Sequence, residues 1–258
     1  MTRAPSLQNG TQRHYDAHPF DALTPEDERD PRRVQPKPFL DFCDRSLSSG
    51  MAVAEIGCGP GRGTMYLAKL GLDLTAVDIS EASLMRAAKR APAARFVRAT
   101  NLALPFEDGA FDAVISDGVI HHTPDAYRSF RETVRTLRDG GFLYLGVYKR
   151  RRYYYHIYTY AGPLIRRIEH SIPGRILLSL TVIPVYYLAH LVKSRGRRTW
   201  AGAKSFFYDY IITPQATFHT REEVEAWGAK ERLELTVYDP SLGNVHVFMF
   251  RKRAAAGR

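Results

Sequence analysis

The chain has 258 residues, 45% of them hydrophobic, which suits one α/β domain with a full core and requires no second independent domain. Its two cysteines, Cys43 and Cys58, are isolated, which excludes a disulfide framework and a zinc site, and the N-terminus has no apolar secretion signal. We therefore expect a cytoplasmic protein, whose net charge of +10 matters mainly through its location along the chain.

The first 38 residues predict an N-terminal arm ahead of the core. Residues 13–21 are aromatic and polar, and residues 24–38 are rich in charge and proline. This composition favours an irregular arm, with a flexible tail over residues 1–10.

A strand, a glycine-rich turn and a helix follow one another after the arm. The apolar run from Val53 to Ile56 predicts a buried strand, and the pattern after Gly63 predicts a helix with one apolar face. Between them, glycines occupy positions 57, 59, 61 and 63. Glycine is needed where the backbone takes a positive φ or where a ligand touches it directly. The segment predicts a nucleotide-binding turn in the first unit of a doubly wound sheet.

The spacing of these glycines discriminates among nucleotide ligands. A dinucleotide fingerprint requires Gly-x-Gly-x-x-Gly, but its last position is Arg62 or Thr64 in the two registers, and no Gly-Lys-Ser/Thr triplet of a P-loop follows. The remaining pattern, Glu55-x-Gly57-x-Gly59-x-Gly61, resembles the first motif of the class I S-adenosylmethionine-dependent methyltransferases. A glycine-rich loop without a ligand is the alternative.

Segments downstream of the turn extend this resemblance. A β-type run ends at Asp78, about twenty residues after Gly57, where a carboxylate accepts from both hydroxyls of a ribose. A capping role for Asp78 is the alternative, because Ser80 opens a helical pattern. Residues 95–148 then keep the family's order of strands, loops and helix. The chain resembles the branch typified by ubiquinone and menaquinone methyltransferases, over about residues 51–148.

The resemblance implies S-adenosylmethionine as the cofactor and no metal. Many family members hold the adenine amino group with an acid near Thr100; here Thr100 and Asn101 stand instead, and the Asn amide both donates and accepts. Arms of this kind fold over the cofactor in similar enzymes, and the aromatic face of Tyr15 suits a sulfonium cation. The residues that the resemblance assigns to the cofactor are Tyr15, Glu55, Gly57, Cys58, Gly59, Gly61, Asp78, Ile79, Thr100, Asn101, Leu102, Ser116 and Asp117.

The positive charge is concentrated in residues 149–204. This stretch has twelve Lys or Arg against one acid, Glu169, and therefore has a net charge of +11. Because the whole chain has a net charge of +10, the remaining residues have a net charge of −1. The stretch also holds seven of the fifteen tyrosines. Lying after the predicted fifth strand, it indicates a helical insertion at the place where the family often carries a cap over the methyl acceptor.

Within the insertion, residues 176–192 form an apolar run between Arg175 and Lys193. The run is shorter than the roughly twenty residues of a membrane-spanning helix and has Pro184 at its centre, which favours a helix pair packed over the site. An interfacial helix on an anionic membrane is the second interpretation and a spanning helix the third.

The C-terminal part completes the predicted sheet. Thr220 and Glu223 predict a capping box at the start of a helix. Residues 233–239 and 245–251 alternate as two last strands in an antiparallel hairpin. We expect an α/β fold with a Rossmann-like, seven-stranded, mostly parallel sheet and an antiparallel last strand. The expected division is an arm (1–38), the Rossmann-like domain (39–148 and 205–253) and the cap insertion (149–204).

Three histidines are candidates for a catalytic base. Methyl transfer depends chiefly on holding two reactants in line and excluding water, and a base is needed only if the acceptor must lose a proton. His121 and His122 follow the fourth strand at the ligand-binding edge, and His219, after the aromatic stretch with Tyr208 and Tyr210, directly precedes a helix. A structural role is the alternative for each histidine.

These observations predict an S-adenosylmethionine-dependent methyltransferase for a small acceptor that is lipophilic or anionic. The basic insertion leaves an RNA or other nucleic-acid acceptor as an alternative, although we recognise no nucleic-acid-binding module around it. A second alternative is an S-adenosylmethionine-binding protein without turnover. Peripheral contact of the cytoplasmic protein with an anionic membrane surface is compatible with a lipophilic acceptor.

Overall fold

The computed structural model describes residues 4–150, 152–193, 196 and 199–254. Residues 1–3 of the expected tail and four arginines of the basic insertion (151, 195, 197 and 198) lie outside these ranges. The described residues form a seven-stranded sheet whose strands are, in chain order, β1 (Ala52–Ile56), β2 (Asp73–Asp78), β3 (Arg95–Arg98), β4 (Phe111–Asp117), β5 (Leu137–Tyr148), β6 (Leu233–Asp239) and β7 (Val245–Lys252).

The helices flank this sheet and build the arm and the cap. Short 3-10 turns cover Pro31–Val34, Ala68–Leu70 and Ile120–His122, and π-helical turns cover Ile157–Ala161 and Tyr208–Ile212. The α-helices are α1 (Ala4–Ala17), α2 (Pro25–Arg29), α3 (Lys37–Ser46), α4 (Arg62–Leu67), α5 (Glu81–Arg90), α6 (Ala126–Thr136), α7 (Tyr153–His156), α8 (Gly162–Glu169), α9 (Ile172–Leu180), α10 (Val182–Lys193), α11 (Trp200–Phe207) and α12 (Arg221–Lys230).

The strand order is β3-β2-β1-β4-β5-β7-β6. Strands β1 to β5 pair in parallel, and β7 runs antiparallel to both β5 and β6. The expected Rossmann-like sheet with an antiparallel last strand is thereby confirmed. The strand order reverses between β1 and β4, and in doubly wound folds ligands bind at the carboxyl ends of the strands beside such a switch point.

The sheet is buried on both faces. On one face, Phe130 of α6 and Val224 of α12 pack against strand residues such as Val114. On the other, Phe39 and Phe42 of α3 pack against the opposite side of the central strands. Strands covered on both faces read as continuous apolar runs, which explains why β1 and β4 are visible in the sequence.

The arm is helical, so the expectation of an irregular arm was wrong. The Thr24 side chain accepts from the Asp27 N–H, the Asp27 carboxylate accepts from the Thr24 N–H, and Pro25 occupies the first turn of α2. This capping box stabilises a short helix despite the proline and charge around it. The expected capping box of Thr220 and Glu223 is also present, at the start of α12.

The cap lies between β5 and α12 and is built from α7 to α11 and the two π-helical turns. Phe207, Tyr208, Ile211 and Ile212 pack with Ile183 of α10, so the cap continues beyond residue 204 to the second π-helical turn. The apolar run forms α9 and α10, which meet at Thr181. The apolar helical stretch Ile172–Val192 has 21 residues and is longer than the apolar run of residues 176–192. By length and composition alone it could cross a membrane, which is weak evidence that it does.

Candidate active site

A cavity of about 610 Å³ lies at the carboxyl ends of β1, β2 and β4 and extends beneath the cap. Its floor is the glycine turn after β1, and its sides come from the arm, from the segment after β4 and from the cap. Elements far apart in the sequence therefore share one cavity.

The glycine turn is held against β2. The N–H groups of Gly57 and Cys58 both donate to the Val77 carbonyl, at 2.7 and 2.9 Å. Gly57 has a φ of +75°, and a Cβ there would lie 2.3 Å from the Val119 side chain. Gly59 has a φ of +54°, and a Cβ there would meet nothing within 4 Å. Gly59 thus lies under open cavity, as a close approach of ligand to backbone requires.

Gly61 has a packing role. It does not line the cavity, and a Cβ at this position would lie 2.9 Å from the Cα of Ala87 in α5. Of the other residues expected at the cofactor, Thr100, Leu102 and Ser116 do not line the cavity either, whereas Tyr15, Glu55, Gly57, Cys58, Gly59, Asp78, Ile79, Asn101 and Asp117 do.

Asp78 ends β2 beside the turn. Its carboxylate accepts from the Gly59 N–H and the Ser80 N–H, both at 2.8 Å. The start of α5 is capped by the Ser80 hydroxyl, which accepts from the Ser83 N–H. Burial raises the pKa of Asp78 to about 6. The Asp78 carboxylate therefore lies at the cavity wall, while Ser80 caps the helix.

Glu55 and Arg62 complete the polar floor. The buried Glu55 carboxylate accepts from the Thr64 hydroxyl at 2.6 Å, and burial raises its pKa to about 7. The Arg62 guanidinium at the start of α4 pairs with Asp117 at 2.8 Å. Arg62 and Asp117 place opposite charges side by side, as the carboxylate and ammonium of an amino acid would need.

These features fit the expected S-adenosylmethionine. Asp78 suits the ribose, Arg62 and Asp117 suit the amino-acid end, and open space lies above Gly59. The Asn101 amide nitrogen is buried and has no hydrogen-bond partner among the described residues, so it is a donor available for a ligand.

The part of the cavity under the cap is aromatic and contains one carboxylate. Tyr148, Tyr154 and Tyr210 line it, and Asp209 lies among them in the π-helical turn. The hydroxyls of Tyr15 and Tyr148 donate to the two Asp209 oxygens at 2.8 and 3.1 Å. The arm, β5 and the cap therefore meet at a single, partly buried carboxylate.

His122 is the predicted base that lies in this cavity. Its Nδ1 is 2.8 Å from the Gln215 carbonyl, which can only accept, so Nδ1 carries the proton and Nε2 holds the lone pair. Nε2 has no hydrogen-bond partner among the described residues and lies 4.0 Å from Asp209. Burial lowers the pKa of His122, and the charge of Asp209 opposes that shift.

The other two candidate histidines do not line the cavity. His121 is fully buried, stacks on Tyr148 at 3.6 Å, and accepts at Nδ1 from the Tyr148 N–H. His219 contacts Thr217 at 2.9 Å and Glu223 at 3.6 Å. The positions of His121 and His219 agree with structural roles. Of the three candidate bases, the cavity is lined by His122 alone.

Sequence reasoning missed three contributors to the cavity. Arg62 breaks a dinucleotide motif in the sequence, and its place in the first turn of a helix is the signal that could have identified it. Tyr148 and Asp209 gave no local signal, because Asp209 meets Tyr15 across 194 positions of sequence.

The charged side chains that line the cavity are mainly acidic. They are the carboxylates of Glu55, Asp78, Asp117 and Asp209 and the guanidinium of Arg62. None of the described Lys or Arg residues of the cap is among the lining residues. The basic side chains of the described part of the insertion therefore lie outside this site.

Comparison with known proteins finds a match over the glycine turn and the first five strands. Residues 54–145 match the methyltransferase domain family. The chain is 37% identical over 99 residues to phthiotriol/phenolphthiotriol dimycocerosates methyltransferase 1 of Mycobacterium ulcerans, covering 37% of this chain and 36% of that protein. It is 36% identical over 107 residues to 27-O-demethylrifamycin SV methyltransferase of Amycolatopsis mediterranei, covering 39% of each. The match thus spans well under half of these relatives.

Solved structures share the fold over most of the chain. The 1,6-didemethyltoxoflavin-N1-methyltransferase of Burkholderia thailandensis, solved with 1,6-didemethyltoxoflavin and S-adenosylhomocysteine, has a TM-score of 0.59 at 16% identity and covers 98% of this chain and 92% of that one. A methyltransferase of Methanosarcina mazei has a TM-score of 0.54 at 19% identity, covering 83% and 98%. At these identities the likeness shows the fold alone.

Proposed function

We propose that this chain, whose residues 54–145 match the methyltransferase domain family, is a class I S-adenosylmethionine-dependent methyltransferase that transfers a methyl group to the ionisable hydroxyl of a lipophilic small molecule. The observation that carries the proposal is the continuity of the cavity. The family's cofactor turn and an aromatic chamber containing His122 and Asp209 share one space of about 610 Å³.

His122 is suited to remove the acceptor's proton. S-adenosylmethionine, when bound, would supply an electrophilic methyl group and become S-adenosylhomocysteine. The Gln215 carbonyl fixes the proton of His122 on Nδ1, so that Nε2 receives the proton of the acceptor hydroxyl. The lowered pKa keeps His122 neutral at pH 7, and Asp209 stabilises the imidazolium that then forms. The two tyrosine hydroxyls hold Asp209 in place.

The lining of the chamber supports a lipophilic acceptor over an anionic one. Tyr148, Tyr154 and Tyr210 offer aromatic faces, and the nearest carboxylate, Asp209, would repel an anion. The relatives' names give phthiotriol dimycocerosates and 27-O-demethylrifamycin SV as methyl acceptors. An RNA acceptor gains no support from the cavity, because the described basic residues of the cap do not line it.

Calorimetric titration combined with a methyl-transfer assay tests the proposal. The purified protein should bind S-adenosylmethionine. With methyl-labelled donor and a cell extract, the label should appear in the organic fraction. Absence of binding would overturn the cofactor assignment, binding without transfer would indicate a protein that does not turn over, and label in RNA would indicate the alternative acceptor.

A pair of histidine variants tests the base. His122→Gln should keep S-adenosylmethionine affinity while kcat falls by about 10²- to 10⁴-fold, the usual contribution of a general base. His219→Gln, at a buried histidine outside the cavity, should keep its kcat. The reverse pattern would assign the base to His219.

A further inference from the structure

Helix α10 is apolar on two opposite sides. On its inner side, Ile183 is buried in the cap, and Tyr186 and His190 line the cavity. On its outer side, Val185 and Leu188 are 67% and 58% exposed, and Val192 is more exposed still. A helix that is hydrophobic all round is normally buried on every side. The exposure of the outer side of α10 therefore requires an explanation.

Helix α9 carries further exposed apolar side chains. Ile172, Ile176 and Leu180 recur at spacings of four residues, which places them on one side of the helix, and all three are more than half exposed. We call Ile172, Ile176, Leu180, Val185, Leu188 and Val192 the outer apolar face. A soluble monomer rarely exposes so many large apolar side chains on two consecutive helices, which marks an interaction surface.

The charge around this face indicates what covers it. Arg175 on α9 and Arg167 on α8 are exposed, and residues 149–204 carry a net charge of +11. The cavity uses none of the described basic side chains of the cap. Exposed apolar side chains with exposed positive charge on the same and the preceding helix match a bilayer with anionic headgroups, whereas a second copy of the same positive surface would be repelled.

The cavity opens at α7 and the first π-helical turn of the cap. Tyr153 and Ile157 line the cavity and are 54% and 37% exposed, so the acceptor chamber reaches the surface there. The same cavity is walled by the inner side of α10. Because α10 packs on protein along that inner side, it suits a position along a membrane surface better than one across the bilayer.

We propose that the outer apolar face docks on the surface of an anionic bilayer, so that the lipophilic acceptor reaches the chamber from the lipid. The delivery of the acceptor from the lipid rests on the proposed function, whereas binding to the bilayer does not.

Vesicle flotation of the full chain tests the proposal independently of methyl transfer. The protein should float with 3:1 phosphatidylcholine/phosphatidylglycerol vesicles at low salt and much less with phosphatidylcholine alone. Leu180→Gln/Leu188→Gln should weaken binding to the anionic vesicles by at least about tenfold, because each substitution removes buried apolar area. The control Met85→Gln changes an exposed methionine of α5, outside the face, and should bind as the wild type does.

A second pair of variants tests the charge. Arg167→Glu/Arg175→Glu should weaken binding by about tenfold or more, since each basic group near the surface contributes to attraction. The matched reversal Arg45→Glu/Lys89→Glu, at exposed residues of α3 and α5, should have a much smaller effect. Circular dichroism and calorimetric S-adenosylmethionine binding establish that each variant is folded.

Several results would overturn the docking. The wild-type protein would stay at the bottom of the gradient, or the Leu180→Gln/Leu188→Gln variant would float as the wild type does. A concentration-dependent dimer that these substitutions abolish would instead assign the face to a second copy, and resistance to alkaline carbonate extraction would show a crossing helix. Loss of floating with retained S-adenosylmethionine affinity separates failure of docking from failure of the proposed function.

Discussion

At the scale of single residues, the pair His122 and Asp209 determines how the site should respond to pH. Asp209 raises the pKa of His122 against the larger effect of burial, which lowers it. The protonated form of His122 cannot accept a proton, so activity should fall on the acid side of the profile, below the ordinary histidine value near pH 6.5.

Asp209→Asn tests this coupling. Removing the carboxylate takes away the influence that raises the pKa of His122, so the acid limb of kcat/KM should move to lower pH. Without the charge that stabilises the imidazolium, kcat should also fall by about ten- to a hundredfold. A pH–rate profile with saturating S-adenosylmethionine measures both effects. An acid limb that stays in place, or moves upward, would remove Asp209 from the mechanism.

Asp78 predicts a pH dependence of cofactor binding. Its pKa of about 6 lies above the ordinary aspartate value because of burial. The carboxylate that should accept from the ribose is therefore fully ionised only above about pH 7, and the affinity for S-adenosylmethionine should weaken by up to about tenfold per pH unit below about pH 6.

The comparison with Asp78→Asn assigns that dependence. The variant should bind S-adenosylmethionine more weakly at pH 7.5, with an affinity that is flat through this range. The buried Glu55, with a pKa of about 7, is the other carboxyl that titrates nearby. A slope that persists in Asp78→Asn would assign the titration to Glu55.

At the scale of elements, the glycine turn separates binding from folding. Gly59→Ala places a methyl group in open cavity, whereas Gly50→Ala places one in open space outside it. Both glycines have a positive φ, so each substitution should lower the free energy of unfolding by about 1 kcal/mol. Only Gly59→Ala should lower S-adenosylmethionine affinity, by about tenfold or more, because its methyl group occupies the ligand's space. Equal affinities in calorimetry would show that the ligand does not approach Gly59.

The arm is tied to the cofactor turn through Arg90. Its guanidinium pairs with Asp21 at 3.0 Å and Glu28 at 2.8 Å and donates to the Pro60 carbonyl at 2.9 Å. Arg90→Ala should therefore speed proteolysis of the arm and weaken S-adenosylmethionine binding severalfold, because a half-buried network loses its centre. The exposed pair of Arg95 and Asp73 is the control, since Arg95→Ala removes a solvated ion pair of little energy. Identical digestion rates for the two variants would contradict this role for Arg90.

The elements near the first strand were predictable because their signals are local. The apolar strand, the alternating glycines and Asp78 stand within about twenty-five residues, and their order alone implies the turn and its ligand. The helical arm was not predicted, because its proline and charge are typical of irregular segments, although Thr24 and Asp27 have the spacing of a capping box. Asp209 could not be found, because its environment is made by the arm and β5, which contact it only in the folded chain.

At the scale of the whole molecule, the sheet and the outer helices of the cap differ in the fraction of their residues that is buried. Strand residues such as Val53, Val114 and Leu143 are completely buried, whereas only 11% of the apolar window within residues 172–192 is buried inside the protein. Local opening free energies follow buried contacts, so the outer helices of the cap belong to the least stable part of the fold. The same segment carries the surface proposed for lipid.

Hydrogen exchange measures this difference. Amides of α9 and α10 should exchange at least about a hundredfold faster than those of β1 and β4, because opening them exposes little additional apolar area. Anionic vesicles should slow exchange in α9 and α10 selectively, while α5, on another part of the surface, keeps its rates. Uniform slowing would indicate a global effect of ligand or crowding. Equal rates in the cap and sheet without vesicles would show that the outer helices are held by more than their visible contacts.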